Sequence, residues 1–406
     1  MRQIILREYL QEQAVPLTTE ECDAIRRLNT YINVSPTIGV PSYFDLTPSS
    51  WIGAIQLPKL AIQIRPKIRI QRVLFLLSYA MDPKHWCDTG FDFGQEDSLV
   101  EAVIPGFIFQ LKRALRDGIL QSYRPEEAAL ATVRGRIRIN DQISRHYGFL
   151  LPMEVSYDEF TEDVEENRLI KAALHALEKI YIRSNEIRDQ LRHFQSILNS
   201  VTLIQYEPRQ LPVINYTRLN CRYRPVIELA KLILDSISYD LDYGNVSGAA
   251  FMIDMNDVFE KFVLVALREA LGLSEWEFPS GNAQNSVFLD TGQRVSLKPD
   301  LSWWSGSKCV FVGDVKYKRV EVAGIKHPDL YQLLAYTIAT GLSGGLLVYA
   351  SGECPSVVHR IVNSAKELEV TSIDMSGSPQ EILTEIARVA STVRRLANQA
   401  RREVLA

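Results

Sequence analysis

The chain has 406 residues, 46% of them hydrophobic and 23% charged, close to the averages of soluble globular proteins, which excludes collagen-like, coiled-coil and disordered readings. Its 45 Lys+Arg against 49 Asp+Glu leave a formal net charge of −4, so the chain does not coat nucleic acid through overall positive charge. Any DNA binding is local, or delegated to a partner. The five cysteines (Cys22, Cys87, Cys221, Cys309 and Cys354) are scattered without a CxxC pair, which predicts a reducing compartment and no zinc site. The N-terminal MRQIILREYL carries charges where a signal peptide needs an apolar core, and no apolar run approaches a membrane span. A soluble, cytoplasmic protein with no membrane association is expected, and at roughly 150 residues per domain its length predicts two or three domains.

In chain order, residues 51 to 72 carry Lys59, Arg65, Lys67, Arg69 and Arg72 and no acid. Ile62, Ile64, Ile68 and Ile70 alternate there with Gln63, Arg65, Lys67 and Arg69, a strand period with one apolar and one basic face. An apolar segment, a loop (DPKHWCDTGFDFG) and a helix near residues 97 to 117 follow, so residues 1–120 read as a strand-rich module closed by helices. In VRGRIRI, Val133, Ile137 and Ile139 alternate with Arg134, Arg136 and Arg138. Both basic stripes fit either a solvated sheet face or a surface for phosphate or an acidic partner.

The acidic YDEFTEDVEEN leads into a helix with Asp163 as expected N-cap, Glu166 completing a capping box, and Ile170, Leu174, Leu177 and Tyr181 along one apolar face. Residues 121–245 read as mainly helical, with a further helix from about Pro225 to Ser238 and the clearest boundary near Gly244 to Gly248. Beyond it, residues 246–406 read as a helix from about Asn256 to Leu271, three strand-like segments, a helix from about Pro328 to Thr340, a strand GGLLVYA, a strand pair and a long C-terminal helix. That order predicts a compact α/β domain.

Within this domain one strand is expected to end at Pro299-Asp300 and the next to carry Asp314-Val315-Lys316. Strand alternation points Asp314 and Lys316 to the same side, and a neighbouring strand can bring Asp300 beside them. Paired carboxylates stay ionised together when a cation shares their site, and oxygen-only ligands favour Mg²⁺ or Mn²⁺. The spacing alone is common: about one Asp/Glu-x-Lys triplet is expected by chance in this length, and Asp82-Pro83-Lys84 is a second instance. A plain ion pair of Asp314 with Lys316 or Lys318 is the alternative. Glu260 is either a further metal ligand or, with Asp257, a D-x-x-E helix cap. Gln332 and Tyr336 share a helix face and are placed to orient Lys316, to contact DNA, or simply to form a polar surface.

These residues resemble the PD-(D/E)xK nuclease superfamily, with Pro299-Asp300 and Asp314-Val315-Lys316 as its motif and Gln332-x-x-x-Tyr336 resembling the RecB-like version. VRGRIRINDQI, YDEFTEDVEENRLIKAAL and GDVKYKR, in this order, resemble the McrC family of modification-dependent restriction systems. The resemblance implies a C-terminal nuclease domain with a mixed sheet flanked by helices. It implies Mg²⁺-dependent cleavage of double-stranded DNA carrying modified cytosine, with Asp300, Asp314 and Lys316 catalytic and Asp300, Asp314, the Val315 carbonyl and Glu260 toward the metal. It also implies a separate McrB-like AAA+ GTPase as partner, docked by residues 1–120 and stimulated by this chain. Arg65, Lys67, Arg69, Arg134, Arg136 and Arg138 are then expected DNA or partner contacts. The sequence contains no GxxxxGK[ST] loop, so GTP enters only through the partner. Two other readings stand beside this one: an assembly and GTPase-activating subunit, and an autonomous RecB-like repair nuclease.

Overall fold

A computed structural model describes residues 2–57, 59–81, 83, 99–147, 149–180, 182, 184–207, 210–238, 249–280, 286–320, 327–352 and 357–405. The Asp82-Pro83-Lys84 triplet, the loop after it, Tyr181, Cys87, Cys354 and the Gly244–Gly248 boundary fall wholly or partly outside these residues. The chain divides into two compact units, one of Met1–Ile4, Gly53–Ile62 and Val100–Met252, the other of Ile5–Ile52, Gln63–Leu99 and Ile253–Ala406. Most of the first 99 residues therefore group with the C-terminal segment, whereas the sequence reading sets residues 1–120 apart. One physical reason is that buried groups of the N-terminal stretch find their hydrogen-bond partners in the C-terminal sheet, as at Glu8 and Tyr317.

The C-terminal sheet has five strands in the order Leu301–Ser305, Lys308–Val320, Gly344–Gly352, Glu367–Ser372, Val357–Arg360. The outer pairings are antiparallel and the two central ones parallel. A mixed sheet flanked by helices is thus present. Parallel pairing requires a crossover, and helix His327–Ala339 supplies the one between Lys308–Val320 and Gly344–Gly352. Its Leu333 and Tyr336 pack with Val312, Leu347 and Val370 of the sheet. Gly345 permits this approach, since a Cβ there would sit 2.9 Å from the Leu333 and Thr337 side chains. From the other side of the strand Tyr317 meets Phe259 of helix Met255–Leu271, ring centroids 5.8 Å apart. Helix Pro379–Leu405 packs on Met255–Leu271 and on the same long strand.

Nearer the N-terminus, strands Arg2–Arg7, Leu60–Arg65, Trp51–Gln56, Ala249–Asp254 and Ile237–Ser238 form a five-stranded sheet in that order, and Glu12–Pro16, Tyr43–Pro48 and Ile32–Pro36 a three-stranded one. The first basic stripe is only partly a strand. It ends at Arg65, and Ile70 opens helix Ile70–Met81, so Ile68 and Ile70 do not continue the alternation.

The region expected to be mainly helical begins instead with an antiparallel arm, Ser122–Leu130 paired along its length with Met153–Thr161, and Arg136–Ile137 on the latter's other edge. Helices Glu165–Glu178, Asn185–Ile197 and Arg224–Ser236 follow. Only Arg136 and Ile137 of VRGRIRI are strand; Val133 and Ile139 are exposed, so the second stripe has no buried apolar face. The capping box is absent too. Val164 occupies the N-cap, and the Asp163 carboxylate instead accepts from Arg124 and Arg168, at 2.7–2.8 Å, and from the Thr202 backbone N–H at 2.8 Å. Charged donors outcompete a cap here, and Glu166 accepts from Asn220 at 2.8 Å.

Candidate active site

Asp300 does not end a strand but immediately precedes strand Leu301–Ser305, whose Leu301 pairs with Gly313 across the antiparallel ladder and so places Asp300 opposite Asp314. The Asp300 carboxylate accepts from the Val315 backbone N–H at 2.9 Å, a bond that locks the strand start to the motif. The Lys316 ammonium lies 2.5 Å from Asp314 Oδ2 and 3.7 Å from Asp300 Oδ2. The three side chains expected to converge do so.

Asp314 is fully buried, and its Oδ1 accepts no hydrogen bond from the described residues. A surface ion pair does not describe such a group. Burial, then the neighbouring Asp300 charge, raise the Asp314 carboxyl well above the usual carboxylate range despite Lys316. For Lys316 the balance runs the other way: burial depresses it, but Asp314 and Asp300 outweigh that and hold the ammonium charged. Two carboxylates facing one site, one of them with an orphaned buried oxygen, fit a hard divalent cation such as Mg²⁺ or Mn²⁺. Among the described residues no three His, Cys, Asp or Glu side chains are close enough to hold an ion by themselves.

Glu260 is not a helix cap. Helix Met255–Leu271 is capped by Asp254, whose carboxylate accepts from the Asn256 N–H at 2.9 Å. Burial first, then the charges of Asp300 and Asp257, push Glu260 up to about 7. It thus belongs to the electrostatic field of the site without completing a three-carboxylate cage.

Gln332 Nε2 donates to the Tyr336 hydroxyl at 2.7 Å, and that hydroxyl donates to the Lys298 carbonyl at 3.0 Å. The pair therefore braces the backbone two residues before Asp300; the described hydrogen bonds do not run to Lys316. A further carboxylate, Asp329, escaped the sequence reading. It is buried on the same helix, paired with Lys318 at 3.1 Å and accepting from the Tyr349 hydroxyl at 2.8 Å. Only its place in the first turn of a helix after the motif could have pointed to it.

The six basic residues separate by environment. Arg65 ends its strand half-buried, Lys67 lies with its ammonium 3.6 Å from the centroid of the Tyr317 ring, and Arg69 is exposed. On the arm, Arg134 stacks on Tyr157 at 4.1 Å and Arg136 is exposed. Arg138 is held by Glu127 at 2.8 Å and Asp141 at 2.5 Å. Among the described residues no helix is long and apolar enough to cross a membrane.

None of the curated proteins matches the chain. Among solved structures it is similar to a chain of the refined half-complex from the tetradecameric assembly of Thermococcus gammatolerans McrB AAA+ hexamers with bound McrC. That match has a TM-score of 0.57 at 18% identity and covers 96% of this chain and all of the other, a likeness of fold. A cryo-EM structure of the Thermococcus gammatolerans McrBC complex matches with a TM-score of 0.43 at 20% identity, over 66% of this chain and 88% of the other. The sequence model of the family described as McrBC 5-methylcytosine restriction system component matches residues 46–350. Since this match spans the greater part of the chain and agrees with the resemblance carried by its motifs, the chain belongs to the McrBC 5-methylcytosine restriction system component family.

Proposed function

We propose that this chain is the DNA-cleaving subunit of a McrBC-like restriction system, a PD-(D/E)xK endonuclease that hydrolyses phosphodiester bonds with Mg²⁺ or Mn²⁺. The observation that carries the reading is the convergence of Asp300, Asp314 and Lys316 around a buried carboxylate oxygen with no hydrogen bond. Asp300 and Asp314, with the Val315 carbonyl, hold the ion, and Glu260 acts from the periphery. When bound, the ion polarises the phosphate and lowers the pKa of a water. Lys316, kept charged by its two carboxylates, orients the attacking water and stabilises negative charge developing on the phosphate. Gln332 and Tyr336 hold the Lys298 backbone, and so Asp300, in place.

The DNA is double-stranded, carries modified cytosine, and is delivered by a McrB-type AAA+ GTPase whose GTP hydrolysis this chain stimulates. A formal net charge of −4 suits a nuclease that does not gather its own substrate. Of the six basic residues, Lys67, Arg69, Arg134 and Arg136 are exposed and open to DNA or partner. The test is cleavage of methylated and unmethylated DNA by the chain with its GTPase partner, GTP and Mg²⁺. Cleavage of methylated DNA alone is expected. Equal cleavage of both would leave the nuclease and remove the dependence on modification.

A further inference from the structure

Glu8 is 2% exposed, an unusual place for a carboxylate. Its Oε1 accepts from the Tyr317 hydroxyl at 2.9 Å and from the Lys67 backbone N–H at 2.8 Å, while Oε2 is buried without a hydrogen bond. The Glu8 backbone N–H in turn donates to the Arg65 carbonyl at 3.0 Å, which ties the turn after strand Arg2–Arg7 to the stretch that holds Lys67. Lys67 reaches the same tyrosine from a second direction, its ammonium over the ring and 3.5 Å from the Tyr317 carbonyl oxygen.

Tyr317 directly follows Lys316, and the ladder is irregular there. Lys316 pairs with Tyr349, but the next pairing is Arg319 with Ser351, so the long strand carries an extra residue between them. A bulge bends a strand, re-aims neighbouring side chains and leaves backbone groups outside the ladder. At this bulge the Tyr317 carbonyl is met by Lys67 and the Tyr317 side chain by Glu8. The stretch that aims Lys316 is thus held by two residues from the first 70.

We propose that Glu8 and Lys67 are positioning residues for the nuclease: they clamp Tyr317 and so fix the bulge that sets the direction of the Lys316 ammonium. The inference rests on the nuclease reading of Lys316. It gives Lys67 a role other than the contact with DNA or partner expected from its basic stripe. Burying a carboxylate costs stability relative to an apolar side chain of the same size, and what this one provides is a defined geometry at the residue next to the motif.

The clamp is tested in the full chain with its GTPase partner and Mg²⁺, and separately by amide hydrogen exchange of the metal-free chain. Tyr317→Phe keeps the ring and removes only the hydroxyl. It is expected to lower kcat roughly 10- to 100-fold with the KM for DNA unchanged, since misplacement of a catalytic group costs rate more than binding. Glu8→Ala, which also removes the acceptor of the Lys67 N–H, is expected to act at least as strongly, and the double variant no worse than the poorer single one, because both remove the same Tyr317–Glu8 hydrogen bond. Glu8→Gln still accepts from both donors and should restore most of the rate. In the metal-free chain, exchange at residues 315–318 should be roughly 10-fold faster in Tyr317→Phe, with helix Pro379–Leu405 unaffected. Wild-type kcat and wild-type exchange in Tyr317→Phe would overturn the clamp, as would losses that multiply in the double variant. Faster exchange beside an unmodified chain that does not cleave would instead remove the nuclease reading, and the positioning role with it. If Glu8→Ala fails to fold, Tyr317→Phe alone decides.

Discussion

Strand Lys308–Val320 and the arm built from Ser122–Leu130 and Met153–Thr161 are both long, charged β-structures, yet they use charge in opposite ways. In the first, Asp314 is fully buried beside Asp300 and Lys316, and the carboxyl is pushed up by burial. In the second, the charges pair among themselves, Arg138 with Glu127 and Asp141, Arg124 with Glu126 and Asp163, and even the buried Glu154 is met by His146 at 3.1 Å. Helix Ile139–His146 on this arm buries no residue at all. The same residue types therefore form the proposed catalytic site in one place and build a framework in the other. What separates them is whether low-dielectric surroundings leave a charge short of partners.

This contrast breaks most visibly at Lys316. Lys316→Ala should lower the cleavage rate by roughly 10³-fold, about 4 kcal/mol of transition-state stabilisation, with the melting temperature little changed. Single-turnover assays and thermal melts check the two halves; a variant that cleaves normally would place Lys316 with the framework charges.

On the arm side the larger effect is on folding. Asp163→Ala removes the carboxylate shared by Arg124, Arg168 and Thr202 and should cost about 3 kcal/mol in denaturant unfolding, without changing the rate per folded molecule. Arg168, Thr202 and Arg124 hold the Asp163 carboxyl far below the usual range. Its contribution is therefore fully present above the unfolded pKa of about 3.9 and is lost as pH falls below it. Asp163→Asn should flatten that acid limb of the stability curve.

Glu260 gives the opposite sign. Its carboxyl is raised to about 7, so it contributes stability fully present below its unfolded value of 4.5 and lost as pH rises through about 7. Glu260→Gln should stabilise the metal-free chain at pH 8 by about 1–3 kcal/mol and have little effect at pH 4. Mg²⁺ should raise the melting temperature of the unmodified chain more at pH 8 than at pH 6, and equal shifts would show that these carboxyls do not meet the ion.

The smallest difference lies within one stripe. Arg138→Ala removes a partner of Glu127 and Asp141 and should cost about 1 kcal/mol, while Arg136→Ala should stay within about 0.5 kcal/mol. Matched urea titrations of the two variants check this.

The convergence of Asp300, Asp314 and Lys316 was legible in sequence because it follows from strand alternation and one antiparallel neighbour, both local rules. The helix and strand order after Asn256 was legible for the same reason. The basic stripes were not. Alternation in residues 62–70 and 133–139 looks like strand, but a helix begins at Ile70 and Arg138 is drawn into an ion network with Glu127 on strand Ser122–Leu130 and Asp141 on the helix that follows. Capping at Asp163 and at Asp257 failed alike, since a D-x-x-E spacing says nothing of the arginines that compete for Asp163 or of Asp254 lying three residues earlier. Glu8 and Tyr317 are 309 residues apart, and no periodicity links them. The bulge after Lys316 likewise has no local sequence signal.

On the proposed function, the orphaned carboxylate oxygen of Asp314 holds a divalent ion for DNA cleavage. The direct measurement is the Mg²⁺ dependence of cleavage, with the GTPase partner present, for the unmodified chain and Asp314→Ala. Saturable Mg²⁺-dependent cleavage is expected of the first and, of the second, at least roughly 10³-fold less at every Mg²⁺ concentration, with partner assembly intact. Full cleavage by Asp314→Ala would contradict this role.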